Sequence, residues 1–173
     1  GESLRDAMLA ASGLLNHACG GPSVFPELPA EMKGAGGWKV SEKADDRNRR
    51  SVYVCVKRNL RYPFFALFDA PDRNETCARR FTTTTAPQSL MLVNDGIVLE
   101  FAKAFAAKVR TEAGNDRMKQ RDRVFLRALS RSPSDAERTA ADKFLATHPG
   151  TSEDALVDLC HAVLNLNEFL YVD

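Results

Sequence analysis

The residues best suited to chemistry are concentrated in one stretch, FDAPDRNETCARRFTTTTAPQ, which runs from Phe68 to Gln88. Acids, arginines, a cysteine and four consecutive threonines lie close together in it. Two carboxylates could share general acid and base work, whereas hydroxyl and guanidinium groups together could bind a sugar or a phosphate. A third interpretation is a structural loop, in which the same groups hydrogen-bond to one another and to the backbone.

The arginines in this stretch favour the structural interpretation. A guanidinium that holds a carboxylate lowers the pKa of that carboxylate, which makes it a poor general acid at neutral pH. Threonine favours extended backbone, and its hydroxyl can bond to loop backbone groups. We therefore predict a braced loop without catalytic residues, with ligand binding and hydrolysis by Asp69 and Asp72 as alternatives. The positions that would form the brace or contact a ligand are Asp69, Asp72, Arg73, Arg79, Arg80, Thr82, Thr83 and Thr84.

The segment from Pro22 to Trp38 is a second candidate for a binding role. Its prolines and glycines predict an irregular connection, and long irregular segments inside a small domain are often functional. Trp38 is the candidate ligand-contact aromatic. Together with the Thr and Arg side chains of the stretch 68–88, it could contact a glycan or another polyhydroxylated ligand.

Metal and thiol chemistry has few candidates among the three histidines and four cysteines. His17 with Cys19, and Cys160 with His161, could form a zinc site only if the first and last helices met. Neighbouring residues on one helix point in different directions, so we predict neither a metal site nor a cofactor. No CxxC pair is present, and the cysteines fit either buried thiols or disulfides.

Composition limits the class of protein. A chain of 173 residues, 44% of them hydrophobic, fits a single domain over 1–173 with a real core. The net charge of +1 gives no general attraction to nucleic acid, and no run is long and apolar enough to predict membrane insertion. Because the chain enters a helical pattern at once and lacks an initiator Met, we predict a domain excised from a larger multidomain protein.

The elements that must position these residues are helical. Hydrophobic spacing predicts an all-α domain of about six to eight helices with two long irregular loops, and the first helix covers about residues 2–17. A capping box at Thr85 and Gln88, and a cap at Asp95, start two further helices. Later helices are predicted over 116–131, from a cap at Ser132 and from about residue 152. The apolar faces are predicted at Ile97, Val98, Phe101, Phe105 and Val109, at Ala136, Ala140 and Phe144, and at Leu156, Leu159, Cys160, Val163 and Leu164.

Three further local patterns predict structure or contacts. The segment from Ser51 to Leu60 alternates like a strand, but it has no second strand to pair with, and we predict a short buried helix there. Pro63 is suited to the first position of a short helix. The arginine-rich face of residues 117–131 could dock an acidic partner, although such a face is usually solvated, and we predict the solvated form.

Several phrases resemble the PSD1 family of planctomycetes, also called DUF1553. They are LRDAMLAASGLLN, GGPSV, RRSVYVCVKRN, ALFDAPDRNETCARRFTTTTAPQSLMLVND and LNLNEFLYVD. The resemblance covers nearly the whole chain and corresponds to the C-terminal two-thirds of the family's domain. It implies an accessory or interaction module of unknown molecular function, in large exported proteins that carry cytochrome c-like and PSCyt2-like domains upstream.

The resemblance also sets expectations for partners. The other domains of the same polypeptide are the expected partners, with a glycan as the alternative. Because the family has no established activity, the resemblance implies no catalytic residue. Export would make disulfides reasonable, and Cys77 in the arginine-rich stretch could be joined to another cysteine.

Overall fold

The computed structural model of the chain describes residues 1–72 and 74–171. Their regular structure is helical apart from two isolated bridges, which confirms the prediction of an all-α fold. None of the described helices combines the length and the apolar character needed to cross a membrane. The α-helices in these ranges are α1 (Glu2–Ser12), α2 (Ala44–Arg47), α3 (Pro63–Leu67), α4 (Ala86–Asn94), α5 (Gly96–Ala113), α6 (Arg117–Leu129), α7 (Asp135–Thr147), α8 (Ser152–Leu164) and α9 (Asn167–Leu170).

Helix α5 is the central element, because it packs against α1, α4, α6 and α8. Its core face carries Val98, Phe101, Phe105 and Val109, all buried, at the spacing of three and four that the sequence predicts. Burying a side chain of this size contributes about 1.5–3 kcal/mol relative to leaving it exposed. The face of α8 that was predicted to point inward is also buried.

Three helix starts confirm sequence predictions. Pro63 occupies the first turn of α3. The Asp95 carboxylate caps α5 by accepting a hydrogen bond from the Ile97 N–H at 2.7 Å. At the start of α4 the side-chain oxygen of Gln88 accepts from the Thr85 N–H at 2.9 Å, as a capping box requires.

Helix α1 ends at Ser12 rather than at about residue 17, so the predicted boundary is wrong. Gly13 follows it with φ 75°, and its N–H donates to the Ala10 carbonyl at 3.1 Å. Glycine adopts this left-handed conformation without the steric cost of a Cβ, and it therefore ends the helix here.

The predicted cap of α7 at Ser132 is also wrong. Ser134 caps the helix instead, since its hydroxyl accepts from the Glu137 N–H at 3.3 Å. The Glu137 carboxylate accepts from the Ser134 N–H at 2.7 Å in return. Serine followed by glutamate three positions later forms a complete capping box, whereas Ser132 has an aspartate at that spacing.

The apolar face of α7 differs from the prediction as a result. Ala141 and Leu145 are buried, whereas Ala136, Ala140 and Phe144 lie on the exposed side. The two sets are one residue apart, which corresponds to a rotation of about 100° around the helix. Alanine gives little signal for either orientation, so the position of the stripe depends on packing against α8.

The segment after Ser51 is not the buried helix that was predicted. A short 3-10 turn covers Ser51–Tyr53, and the chain then extends. The Val24 N–H donates to the Tyr53 carbonyl and the Cys55 N–H donates to the Val24 carbonyl, both at 2.8 Å. Val54 is consequently buried. The partner in this pairing is a single residue, Val24, in the segment from Pro22 to Trp38. That segment has no strand pattern from which the pairing could be predicted.

Arg5 connects α1 to the irregular part of the chain. It is only 2% exposed. Its Nη2 donates to the Arg47 carbonyl at 2.6 Å, and its Nη1 donates to the Arg49 carbonyl at 3.0 Å and to Ser51 Oγ at 3.2 Å. A buried guanidinium needs acceptors for its donors, and backbone carbonyls supply most of them here.

Arg49 continues this connection toward the segment that follows α1. It donates to the carbonyls of Ala18 and Pro22 at 3.2 Å each, and also to the Gly20 carbonyl. Its guanidinium lies 3.8 Å from the centre of the Tyr53 ring, which adds a cation–π contact. Two arginines thus hold a long stretch of non-helical backbone against α1.

The arginine-rich face of α6 is only partly solvated: Arg117 and Lys119 are exposed as predicted, whereas three other arginines bind within the protein. Arg121 is buried and donates to the Asp142 carboxylate at 2.6 Å. Arg127 donates to the Ala11 carbonyl near the end of α1 at 2.9 Å. Arg131 pairs with acids of α7 and α9. These contacts join α6 and the turn after it to α1, α7 and α9.

Candidate functional site

The polar stretch connects α3 to α4, and its described residues, 69–72 and 74–85, form a loop that is half-buried at the start and exposed from residue 74 onward. Its two ends are joined by Asp69, whose carboxylate accepts from the Thr83 N–H at 2.7 Å and from Thr83 Oγ1 at 2.9 Å. The buried side chain of Gln88 donates to the Leu67 carbonyl at 2.9 Å and to Thr83 Oγ1 at 3.4 Å. The loop is therefore closed at its base by side chains from both ends.

Asp69 also has an unusual backbone conformation, with φ 59°. This left-handed region costs a non-glycine residue free energy, although aspartate tolerates it better than most because its short side chain bonds locally. The hydrogen bond from the Thr83 N–H is the main influence that holds the pKa of Asp69 below its usual value. Asp69 is thus a stable anion that anchors the loop.

The middle of the loop is held by residues outside it. Asp72 pairs with Arg61, and it accepts from the Asn74 N–H at 2.9 Å in a tight turn. Arg80 forms a two-pronged contact with the Glu2 carboxylate of α1, at 3.1 and 3.3 Å.

These partners differ from the sequence prediction, which paired the loop acids with the loop arginines. Arg80 pairs with Glu2 of α1, and Asp72 pairs with Arg61 before α3. Arg73, another candidate, lies outside the described residues. The first pair spans 78 positions and the second spans 11 across α3, and neither spacing is a local pattern that the sequence shows.

The remaining candidates of the loop lie on its surface. Arg79 and Thr82 are exposed. Thr84 Oγ1 lies 3.3 Å from the Tyr171 hydroxyl, close to the end of the described chain.

Two adjoining clefts flank the loop. One, of about 530 Å³, is enclosed by the loop itself together with Arg61 and Ala66. The other, of about 410 Å³, lies between α1, the segment from Arg50 to Tyr62 and the start of the loop. Arg61 and Arg80 are among the residues that line both clefts. Both fall in the size range of ligand and peptide sites.

Large apolar side chains are exposed around these clefts. Phe81, in the wall of the larger cleft, is 77% exposed. Val52 is 73% exposed and Val56 is also exposed, and both line the smaller cleft. The sequence prediction did not include Phe81. The available signal was a bulky aromatic residue in a run of arginines and threonines with no other apolar neighbour to pack on.

Trp38 occupies a different environment from the one the sequence suggested. It is 3% exposed, and its Nε1–H donates to the Pro26 carbonyl at 2.8 Å. Its ring packs edge-on against Phe25 and stacks on Tyr62. A tryptophan whose ring and N–H are both occupied has no face to offer a ligand, so the structure gives no support to Trp38 as a ligand-contact residue.

The histidines and cysteines do not assemble either. His161 Nε2 lies 2.8 Å from the Leu92 carbonyl. All four cysteines are free thiols, Cys19 and Cys77 exposed and Cys160 buried, and burial raises the pKa of Cys160. In residues 1–72 and 74–171, no group of three or more His, Cys, Asp or Glu side chains is arranged to hold a metal ion.

The chemistry that this arrangement favours is binding. Both carboxylates of the hydrolase alternative, Asp69 and Asp72, accept hydrogen bonds from neighbouring donors. The lowered pKa of Asp69 is the opposite of what a general acid at neutral pH needs. A pre-formed loop with exposed Phe81 and flanking guanidinium groups instead has the composition of a recognition surface.

Comparison with known proteins identifies a family for most of the chain. Residues 1–145 match the model of the family PSD1, described as "Protein of unknown function (DUF1553)". No curated protein and no solved structure matches the chain. Because the family model covers more than four-fifths of the chain, this helical protein with its closed polar loop belongs to the PSD1 (DUF1553) family.

Proposed function

We propose that the chain is a non-catalytic interaction module that docks another protein domain on its loop face. The loop face is defined here as residues 69–72 and 74–85 together with the two clefts beside them. The observation that carries the proposal is the 77% exposure of Phe81 beside the guanidinium groups of the loop. Aromatic and arginine side chains are enriched at the centres of protein interfaces, where they contribute most of the binding free energy.

The closure of the loop supports this role. Asp69 and Gln88 fix the backbone at Thr83, only two positions after Phe81. A loop that is ordered before binding loses less conformational entropy when a partner docks, and it therefore gains affinity. The exposed Val52 and Val56 would extend the apolar contact into the smaller cleft.

The proposed partners come from the family resemblance. They are the cytochrome c-like and PSCyt2-like domains of the same planctomycete polypeptide, and the proposed location is outside the cytoplasm. The module would hold these domains in a fixed arrangement, so the reactions of the whole protein would take place in them. This assignment agrees with the hydrogen-bonded state of Asp69 and Asp72.

The test is direct binding between this chain and each of the two domains, purified separately and studied by titration calorimetry. We expect a Phe81→Ala variant to weaken binding about tenfold or more, the size of effect typical of a central interface aromatic. Met118→Ala removes a similarly exposed apolar side chain from α6, away from the loop face, and should leave binding unchanged. The proposal fails if neither domain binds, or if both variants bind as the unmodified chain does.

A further inference from the structure

Helix α4 has a second apolar face, which is uncovered in the described part of the chain. Its inner face packs against α5, with Gln88 and Leu92 buried. On the opposite side Ala86, Leu90 and Val93 are exposed, and the exposed fraction is 61% for Leu90 and 53% for Val93. Their spacing of four and three places them within about 60° of one another around the helix, and we call these three residues the α4 ridge. Apolar residues at this spacing normally face a packing partner.

The α4 ridge lies in a strip of sequence without charge. The fourteen residues from Phe81 to Asn94 include no Asp, Glu, Lys or Arg, although these types make up 27% of the whole chain. Eleven of the fourteen are exposed, all except Gln88, Met91 and Leu92. The charged residues at the two ends, Arg80 and Asp95, both form hydrogen bonds within the protein. Charged side chains are mostly found at the surface, so an exposed strip without them differs from an ordinary solvated surface.

The helix that carries the ridge is fixed before any partner binds. Its capping box holds the first turn, and the Leu92 carbonyl in its last turn accepts from the side chain of Asn165 at the end of α8 at 3.4 Å. Leu166, the next residue, is 37% exposed and adds apolar surface near this end. Glu168 follows, but its carboxylate is paired with Arg131. An ordered surface loses little conformational entropy when it is covered, which favours binding.

The absence of charge determines what can cover the α4 ridge. A charged group of a partner would lose its hydration there and find no opposite charge in the strip, which is unfavourable. The covering surface must therefore be apolar and uncharged as well. Interfaces between identical chains have this composition, with about 65% of their area non-polar. An uncharged ridge is complementary to a second copy of itself, and closed two-fold dimers are the commonest assemblies of identical chains.

We propose that two copies of the chain associate through their α4 ridges across a two-fold axis. Leu90 and Val93 of one copy pack against the same two residues of the other, and Leu166 extends the contact. Phe81 lies outside the ridge, so the dimer does not depend on the docking role of the loop face. A standard interface takes about 800 Å² from each partner, more than two turns of one helix supply, and we therefore expect a weak dimer with a Kd of about 10–100 µM.

Sedimentation equilibrium of the chain alone tests the assembly at concentrations from about 5 to about 500 µM, which bracket this Kd. A reducing buffer prevents the exposed thiols of Cys19 and Cys77 from linking copies covalently. We expect the average mass to rise from that of a monomer toward that of a dimer. The Kd should change less than about threefold between about 0.1 and 1 M NaCl, because no ion pair contributes to the contact. A chain that stays monomeric at the highest concentration overturns the proposal, and so does a dimer that is about tenfold weaker in 1 M NaCl.

The position of the contact is tested with two lysine variants. Leu90→Lys and Val93→Lys each place a charge at an exposed position of a helix, so the monomer should stay folded, which circular dichroism checks. In the dimer the two copies of that charge would lie close together without a carboxylate nearby, and we expect the Kd to rise about tenfold or more. Met118→Lys makes the same change at a 63% exposed apolar residue of α6 and should leave the Kd unchanged.

Further comparisons distinguish the possible occupants of the ridge. Phe81→Ala should leave the dimer unchanged, since its side chain belongs to the loop face. Equal weakening of the dimer by Phe81→Ala and Leu90→Lys would overturn the proposal, as would equal Kd values for Leu90→Lys and Met118→Lys. If the chain alone is monomeric but Leu90→Lys weakens its binding to the cytochrome c-like or PSCyt2-like domain, a domain of the same polypeptide covers the ridge and the dimer is refuted.

Discussion

Asp69 accepts two hydrogen bonds from Thr83, one from the N–H at 2.7 Å and one from Oγ1 at 2.9 Å, across 14 positions of the sequence. This contact turns an exposed polar segment into a closed loop. Because Phe81 precedes Thr83 by two residues, the same contact also limits where its ring can point. The closure of the loop at its base therefore depends mainly on this carboxylate, with Gln88 bonding to the same threonine.

Replacing Asp69 with alanine should open the loop while the helical core stays folded. Alanine loses both acceptors, and it tolerates positive φ less well than aspartate. We expect trypsin to cleave after Arg79 or Arg80 several-fold faster than in the unmodified chain, because exposed and mobile loops are preferred sites of proteolysis. Asp69→Asn is the control, since it keeps an acceptor and tolerates the same conformation. Equal cleavage rates in all three proteins would contradict the role of Asp69.

The ion pair of Glu137 should make stability depend on pH in the acid range. Hydrogen bonds from Arg131, and then from the Ser134 N–H, lower the pKa of Glu137 from 4.5 to about 2 in the folded protein. A carboxylate with a lowered folded pKa contributes stability above its unfolded value, here 4.5, and loses that contribution as the pH falls through about 2.

Urea denaturation between pH 7 and pH 2 measures this effect. The free energy of unfolding of the unmodified chain should exceed that of Glu137→Gln above pH 4.5, and the difference should shrink toward zero near pH 2. A difference that stays constant over this range would show that Glu137 contributes through packing and not through its charge.

Arg49 should contribute strongly to the free energy of unfolding, because it holds the non-helical segment that follows α1. Hydrogen bonds from a charged donor contribute about 1.5–3 kcal/mol each, and Arg49 makes several to backbone carbonyls. We expect Arg49→Ala to lower the free energy of unfolding by about 3 kcal/mol, since the carbonyls lose their donors. Denaturant titration gives the value. Arg50→Ala, at a neighbouring exposed side chain, should change it by less than about 0.5 kcal/mol, and equal effects would refute the assignment.

The cap of α7 can be tested by removing one hydroxyl at a time. Ser134→Ala should destabilise the protein by about 1 kcal/mol, because it leaves the Glu137 N–H without its acceptor. Ser132→Ala should cost less than about 0.5 kcal/mol. Thermal denaturation of the two variants measures the difference. A larger loss of stability in Ser132→Ala than in Ser134→Ala would show that Ser132 is the cap, as the sequence predicted.

The thiols should differ in reactivity. Burial raises the pKa of Cys160 and shields its sulfur, whereas Cys19 and Cys77 are exposed. We expect an alkylating reagent at pH 8 to modify the two exposed thiols within minutes and to leave Cys160 intact until the protein is unfolded. Mass spectrometry of the modified chain reads out each site. Rapid alkylation of Cys160 in the folded protein would contradict its placement in the core.

The predictions that succeeded depend on local patterns. The core face of α5, the cap at Asp95 and the first-turn proline Pro63 follow from residue types within a few positions of each other. Helix periodicity and capping are properties of short segments, so the sequence carries them without knowledge of the fold. The all-α class follows from them as well.

Apart from the end of α1 and the cap of α7, which local residues determine, the predictions that failed depend on contacts between separate segments. Val54 pairs with Val24, and Trp38 packs on Tyr62, and neither contact has a signature in the flanking residues. For the loop, the sequence identified polar positions that include Asp69 and Thr83, but it could not identify Glu2 and Arg61 as partners. Long-range side-chain contacts of this kind are determined only when the helices have packed.

The hydrogen bonds of Arg5 and Arg49 end mainly on backbone carbonyls, and this affects how the chain can diverge. Every amino acid supplies a carbonyl, so the side chains at positions such as Ala18 and Arg47 can be exchanged without removing the acceptor. The two arginines have no such freedom, since no other side chain offers the same fork of donors. Related proteins can therefore have different side chains on this segment while its backbone conformation stays the same.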